Sequence, residues 1–424
     1  MAAGSSGTRA ILAASMGNLL EWYDFSVYAL FAIYIGENFF PSGNSSAALI
    51  KAFLVFGLGF VIRPLGAAVM GIYGDRAGRK AALTATILVM AGGTLIIAAS
   101  PPFAAIGVGA PLLLLAGRIM QGFSAGGEIG SAAAFLVEHA PAGRRGLFAA
   151  WLQASMGMSN ILGALVAFGV TALLPPDAVV GWGWRVPFLI GLCIVPLGLY
   201  LRRTLEETPA FRAERARHAA PLPLVQVFRE YPGALLAGFG ISILWAVAVY
   251  VLLIFMPVFV QKAFGFSAAQ AFGCSLVENV CFVGGCFGFG ALADRIGHTR
   301  MQAIGAAALA LAVLPLFVWL DRSRSLPALI LVLSGCGILV ASYTSVAPTV
   351  VSGLFPTRVR ATGVSLVYNA AITIFGGFAP AILSWFTAAA AGSVLAPAWY
   401  VALAAVTAII TIGFKRRQPA AREA

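Results

Sequence analysis

The chain of 424 residues is 60% hydrophobic and only 10% charged, with a mean hydropathy of +0.94. A soluble domain carries about 25% charged residues, so this chain cannot cover a globule with hydrated surface, which excludes soluble enzymes, nucleic-acid binders, disordered chains and collagen-like folds. The net charge of +12 would suit a nucleic-acid partner, but its distribution along the chain gives it another meaning.

A helix that crosses the hydrocarbon core needs about 20 mostly apolar residues. In chain order, such runs cover 11–36, 47–72, 81–100, 107–137, 147–173, 186–201, 233–260, 269–291, 302–320, 326–353, 362–388 and 397–414. The predicted fold class is therefore all-α integral membrane, with twelve transmembrane helices. The first, fourth, seventh and tenth runs are long enough to tilt or to project beyond the bilayer. The segment from Met1 to Arg9 has no small-residue cleavage site of the right type, so no removable leader is expected. With the N-terminus placed inside, 20 lysines and arginines fall on inside segments and 5 on outside segments, while Arg63 and Arg118 lie within spans. Such a split follows the positive-inside rule. It predicts a multi-pass membrane protein with both termini cytoplasmic, and it turns the excess charge into a topology signal with no nucleic-acid partner.

The longest polar connector, Arg202 to Pro232, has six spans on each side. The predicted division is residues 1–201 as an N-terminal half, 202–232 as a cytoplasmic loop and 233–424 as a C-terminal half with a short cytoplasmic tail. The connectors repeat. "GIYGDRAGRK" (71–80) follows the second span and "GALADRIGHTR" (290–300) the eighth, setting Asp75-Arg76 against Asp294-Arg295 at an offset of 219. Pro141 and Arg145 match Pro356 and Arg360 at an offset of 215. Two pairs at nearly one offset argue for two pseudo-symmetric six-helix halves, arranged so that one rocks against the other around a central site. Asp75, Arg76, Arg79, Glu138, Arg144, Arg145, Asp294, Arg295 and Arg360 stand at the cytoplasmic ends of the spans. A charge network there can latch the halves together, and the acid at Asp75 is the argument for it, since topology alone asks only for lysine and arginine.

An ionisable group at mid-membrane depth costs about 2.5–3.5 kcal/mol on insertion scales and is a functional candidate by default. Glu21, Asp24 and Tyr28 share one face of the first span. Two carboxylates this close do not both ionise easily, which is the behaviour proton coupling needs. Arg118, Gln121 and Glu128 share a face of the fourth span. Arg118 can grip a substrate carboxylate with its planar fork or hold one of the acids ionised. Glu128 joins Asp24 and Glu21 as a proton-coupling candidate. Arg63, before Pro64, is either a second anion contact or a gate partner. In the C-terminal half the polar candidates are Tyr250, Glu278, Asn279, Tyr343, Tyr368 and Asn369, and positive charge for an anion must come from the N-terminal half. Trp22, Trp151 and Trp245 read as packing residues. The five cysteines lie in apolar runs and the three histidines in separate connectors, giving neither a disulfide framework nor a metal site, and no cofactor is expected.

"GxxxDRxGRK" after the second span resembles the signature loop of the major facilitator superfamily, and "RIMQGFSAGGEIG" (118–130) its fourth-span motif. More narrowly, "GNLLEWYDFSVYALFAIYIGENFFP" (17–41), "RPLGAAVMGIYGDRAGRK" (63–80), "GWGWRVPFLIG" (181–191) and "LRRTLEETPAF" (201–211) resemble the metabolite:proton symporter family, over the whole chain. That family includes permeases for citrate, 2-oxoglutarate, shikimate, and proline or betaine. One departure is His298, where the second signature loop usually has arginine. The resemblance implies a monomeric transporter whose partners are a small organic acid, protons and the lipid bilayer. Di- or tricarboxylates rank first, ring acids such as shikimate second and zwitterionic osmolytes third; the short tail "KRRQPAAREA" (415–424) lacks the long helical extension of the osmolyte members. A membrane-bound enzyme finds no nucleophile with a nearby base and no nucleotide loop, a channel would not need the two-half repeat, and a sensor would add a soluble domain.

Overall fold

In hydrocarbon a backbone must satisfy its own hydrogen bonds, so apolar runs of this length become helices. The computed structural model describes residues 18–19, 21–77, 79–126, 128–138, 140–141, 143–203, 223–389 and 393–417. These residues form twelve rods. In order they are α1 (21–39, turned at Phe31), α2 (Ser45–Val61 continued by Arg63–Ala77), α3 (Arg79–Ala99), α4 (Gly109–Ala125 continued by Glu128–Glu138), α5 (Arg145–Leu173) and α6 (Val186–Arg203). Then come α7 (Pro232–Phe264), α8 (Ala268–Ile296), α9 (His298–Ser323), α10 (Leu326–Ser352), α11 (Arg360–Ala388) and α12 (Ala396–Arg417). Each matches one predicted run to within a few residues at the ends; residues 11–17 of the first run lie outside the described residues.

Local chemistry sets the ends. Asn44 caps α2 by accepting from the amides of Ser46 (2.8 Å) and Ala47 (3.4 Å). Ser267 and Gln270 close a reciprocal capping box on α8. Arg185 donates to the carbonyls of Ala98 (3.1 Å) and Ser100 (2.9 Å), placing its cation on the C-terminal end of α3. Trp184 beside it is fully buried against Phe39 and Phe188. The "GWGWR" stretch is thus a clamp between α3, α1 and α6.

Two helices depart from regular geometry. α7 widens to π turns over Ala248–Phe255 and α11 over Ile372–Gly377. Pro257 and Pro380 stand just downstream of these turns. Proline cannot donate to the carbonyl four residues back, which leaves the ladder free to widen there.

Glycine governs the closest helix crossing. A Cβ on Gly122 would overlap the carbonyl oxygen of Gly59, and one on Gly126 would overlap that of Arg63. The small residues of the fourth-span motif therefore let the backbones of α2 and α4 touch, and this crossing brings Arg63 and Arg118 into one neighbourhood. Between the halves, α5 lies along α8, and α11 packs on α2 and α4. Outward-facing Leu95, Leu112, Leu311, Leu331 and Leu403 are exposed, an apolar periphery suited to lipid.

Candidate functional site

Four helices of the N-terminal half put polar side chains into the same buried volume. On α1, Glu21 and Asp24 take different partners. Glu21 pairs with Arg63 of α2 at 2.9 Å. Asp24 accepts from Thr94 of α3, and from the Gln121 amide of α4 at 3.4 Å. Gln121 also donates to the Thr94 hydroxyl at 2.9 Å, and its carbonyl accepts from Arg118 Nη1 at 2.8 Å. A chain thus runs from cation to acid: Arg118, Gln121, Thr94, Asp24. Spacing along α1 joins the two acids as a pair; the neighbouring helices separate them, because α2 supplies a cation to one and α3 and α4 supply hydroxyl and amide to the other.

Arg118 is fully buried. Its remaining nitrogens meet the Phe56 carbonyl at 3.3 Å and, at Nε, no hydrogen-bond partner. Three aromatic faces enclose the guanidinium: Phe25 and Tyr28 at 4.6 Å and Phe56 at 4.8 Å. Arg63 lies over Phe25 at 4.7 Å and Phe60 at 4.6 Å. Such faces stabilise a desolvated cation by roughly 2 kcal/mol without neutralising it. Among the described residues Arg118 makes no ion pair, whereas Arg63 makes one. The aromatic cage escaped the sequence reading, although Phe53, Phe56, Phe60 and Arg63 recur at spacings of 3, 4 and 3, one stripe of a helix.

The other candidates fall in several places. The Tyr28 hydroxyl donates to the Ala52 carbonyl at 3.0 Å, and the Tyr343 hydroxyl to that of Ile241 at 2.8 Å. Tyr250, on the π turns of α7, packs against Trp22, Phe56 and Phe60, with its buried hydroxyl unpartnered among the described residues. It brings the C-terminal half up to the cage. Tyr368 packs against Trp245 at 4.5 Å. Asn279 bonds back to the Ser275 carbonyl at 2.9 Å and lines a small cavity with Ser26, Leu30, Asn160, Leu253, Ile254 and Ser275. That cavity lies between the halves and has room for about one water. Glu278, the next residue round α8, faces α10 instead. The side chains of Glu128, Asp75, Arg76 and Arg79 lie outside the described residues.

The two halves are fastened at the arginine-rich face. Asp294, at the end of α8, accepts from the amides of Gly146 (2.7 Å) and Leu147 (3.0 Å) in the first turn of α5. A carboxylate there satisfies orphan amides and meets the positive end of the helix dipole, so the C-terminal half caps a helix of the N-terminal half. His298 Nε2 stands 3.0 Å from the same carboxylate. Arg360 pairs with Glu138 at 2.8 Å across the halves, and Asn369 donates to the Gly126 carbonyl at 3.0 Å. Arg145 contributes its backbone, accepting from Thr349 at 3.2 Å, while Arg295 is exposed. Toward the opposite face the seam is closed by rings, Phe31 on Phe272 at 6.0 Å and Phe53 on Phe255 at 5.6 Å. The buried cluster is therefore sealed at both ends.

Comparison with known proteins places this geometry in context. Residues 14–380 match the family model described as Major Facilitator Superfamily. A citrate-proton symporter of Klebsiella pneumoniae is 35% identical over 422 residues, covering 99% of this chain and 94% of that protein. A Staphylococcus aureus (strain COL) protein, named as a candidate proline/betaine transporter, is 32% identical over 96% of this chain and 86% of its own. Among solved structures, the partially occluded inward-open xylose transporter XylE from E. coli aligns with a TM-score of 0.76 at 18% identity, covering 98% of both chains. At that identity the likeness speaks for the fold.

Proposed function

The chain belongs to the major facilitator superfamily, and from that membership we propose that it is a secondary transporter taking up a small organic anion, a di- or tricarboxylate of the citrate or 2-oxoglutarate kind, together with protons. The observation that carries the reading is Arg118: a permanent cation in a closed aromatic cage, facing only neutral acceptors. A buried cation with no direct ion-pair partner among the described residues is a receptor for an anion, and the guanidinium fork matches a carboxylate. The 35% identity to a citrate-proton symporter supports the substrate class.

Charge balance supplies the coupling. Glu21 and Arg63 cancel. Asp24 balances Arg118 through Gln121 while it is ionised. A proton on Asp24 removes that balance, and Arg118 is then one positive charge in excess, which a substrate carboxylate neutralises. Proton and anion therefore favour each other's binding, and the loaded site crosses the low-dielectric core with less net negative charge than the anion alone would leave. The halves, residues 1–201 and 233–424, rock about this site. The Asp294 cap and the Arg360–Glu138 pair hold the arginine-rich side shut while the site faces outward. Asp75, Arg76 and Arg79 belong to the same latch by the repeat. The arginine-rich side is cytoplasmic in a bacterial inner membrane, both termini lie there, and the site is complete within a single chain, so a monomer suffices.

Uptake of labelled carboxylates into proteoliposomes under an imposed pH gradient tests the reading. Citrate or 2-oxoglutarate accumulating only with an acidic exterior is the expected result. Accumulation of proline or betaine with no carboxylate uptake would replace the substrate class.

A further inference from the structure

Glu278 is the one carboxylate of the described membrane interior that the transport reading leaves without a task. It lies about a third of the way along α8 (Ala268–Ile296), is 0% exposed, and neither of its oxygens has a hydrogen-bond partner among the described residues. Its surroundings are close-packed. A Cβ on Gly337 of α10 would collide with the Glu278 backbone carbonyl and come within 3.3 Å of its Cγ, so α8 and α10 are in close contact at Glu278. The titratable groups that face it are three thiols: Cys274 and Cys281 on its own helix and Cys336 on α10. Every lysine and arginine among the described residues of the C-terminal half lies near an end of a rod. Taking an ionised carboxylate out of water without a partner is among the most costly burials, and such a group sheds its charge instead. A glutamine would fill the same space without that liability. Meanwhile its helical neighbours Ser275 and Asn279 line the cavity between the halves. A small rotation or tilt of α8 as the halves part would carry the carboxyl from the α10 contact to that cavity and to water.

We propose that Glu278 is a second proton-binding group of the transport cycle: it holds a proton while enclosed between α8 and α10 and exchanges it with water when the halves open. The step is a simple protonation, carboxylate plus proton to carboxylic acid, with water in the opened cavity as donor and acceptor. The inference rests on the proposed symport and deepens it. An acid that is neutral whenever it is enclosed adds no charge to the core in either crossing of the cycle.

Infrared difference spectroscopy on the reconstituted protein, with citrate as the probe, tests this directly. At neutral pH the wild type is expected to show a carboxylic-acid carbonyl band that Glu278→Gln lacks. Glu278→Asp, which keeps an acid, should move the band rather than remove it, and so controls for misfolding of the first variant. In heavy water the band should shift by deuteration slowly at rest and faster during citrate turnover. A spectrum unchanged by Glu278→Gln would overturn the proposal, because the residue would then be ionised. A band that deuterates equally fast with and without turnover would also overturn it, since the acid would then be static. Failure of the wild type to take up citrate strikes the substrate reading instead, and leaves the infrared comparison to decide on Glu278.

Discussion

Arg118 and Asp24 never touch directly: Gln121 stands between them, donating to the acid and accepting from the cation. This arrangement lets the acid lose its charge without collapsing onto the arginine. Arg118→Lys keeps the charge but loses the fork; removing one partner of a buried charged contact typically costs about 2–5 kcal/mol. Substrate affinity is therefore expected to fall at least tenfold, measured by binding or by KM for counterflow, and an unchanged affinity would remove Arg118 from the site. These residues were legible as candidates because charge in an apolar run is costly and few residues bear it. Their partnerships were not legible. Helical spacing groups Glu21 with Asp24, but only the packing of α2, α3 and α4 shows that one acid is neutralised by Arg63 while the other answers to Thr94 and Gln121. A further residue-scale expectation follows: Glu21→Gln leaves Arg63 buried and unpaired and should lower stability, by roughly 3–5 kcal/mol, whereas Asp24→Asn should leave folding intact. Thermal unfolding of the two purified variants separates them.

At the scale of elements, the cap that Asp294 places on α5 belongs to the closed state, because it joins helices of different halves. Loss of a capping group costs about 0.5–2 kcal/mol, and about 1.4 kcal/mol is a factor of ten in an equilibrium. Asp294→Ala should thus shift the balance toward opening of the arginine-rich side by roughly twofold to thirtyfold, read as faster labelling of a thiol placed in the seam. The Arg360–Glu138 pair is partly exposed, and a double-mutant cycle on it should return no more than about 1 kcal/mol. The sequence repeats single out Asp294 but not its partner: the acceptor is matched to backbone amides, which carry no signature. The widened turns of α7 and α11 were hidden in a similar way. Pro257 and Pro380 signal a fault in the ladder, while the direction in which it is resolved depends on tertiary packing. The α2–α4 crossing was foreshadowed by "GFSAG" (122–126), and Gly126→Val, which forces a side chain into the Arg63 carbonyl, is expected to abolish the folded protein in membranes.

For the whole molecule, the number of rods and their pairing into halves were legible because hydrocarbon leaves the backbone few options and because the connectors repeat. The charge split also fixes an expected orientation: in a background without native cysteines, thiols at Ser42 and Ser323 should react with an impermeant reagent from outside intact cells, and one at Thr357 should not. In the proposed cycle, coupling is where the two halves, the latch and the buried cluster act together, and it separates from binding in a single comparison. Wild type and Asp24→Asn are reconstituted side by side, and citrate accumulation under an inward proton gradient is measured together with citrate counterflow at equal pH. Asp24→Asn should lose gradient-driven accumulation and retain counterflow, since exchange needs no net proton movement. Uphill accumulation by Asp24→Asn at the wild-type level would contradict the assignment of proton and anion to this cluster.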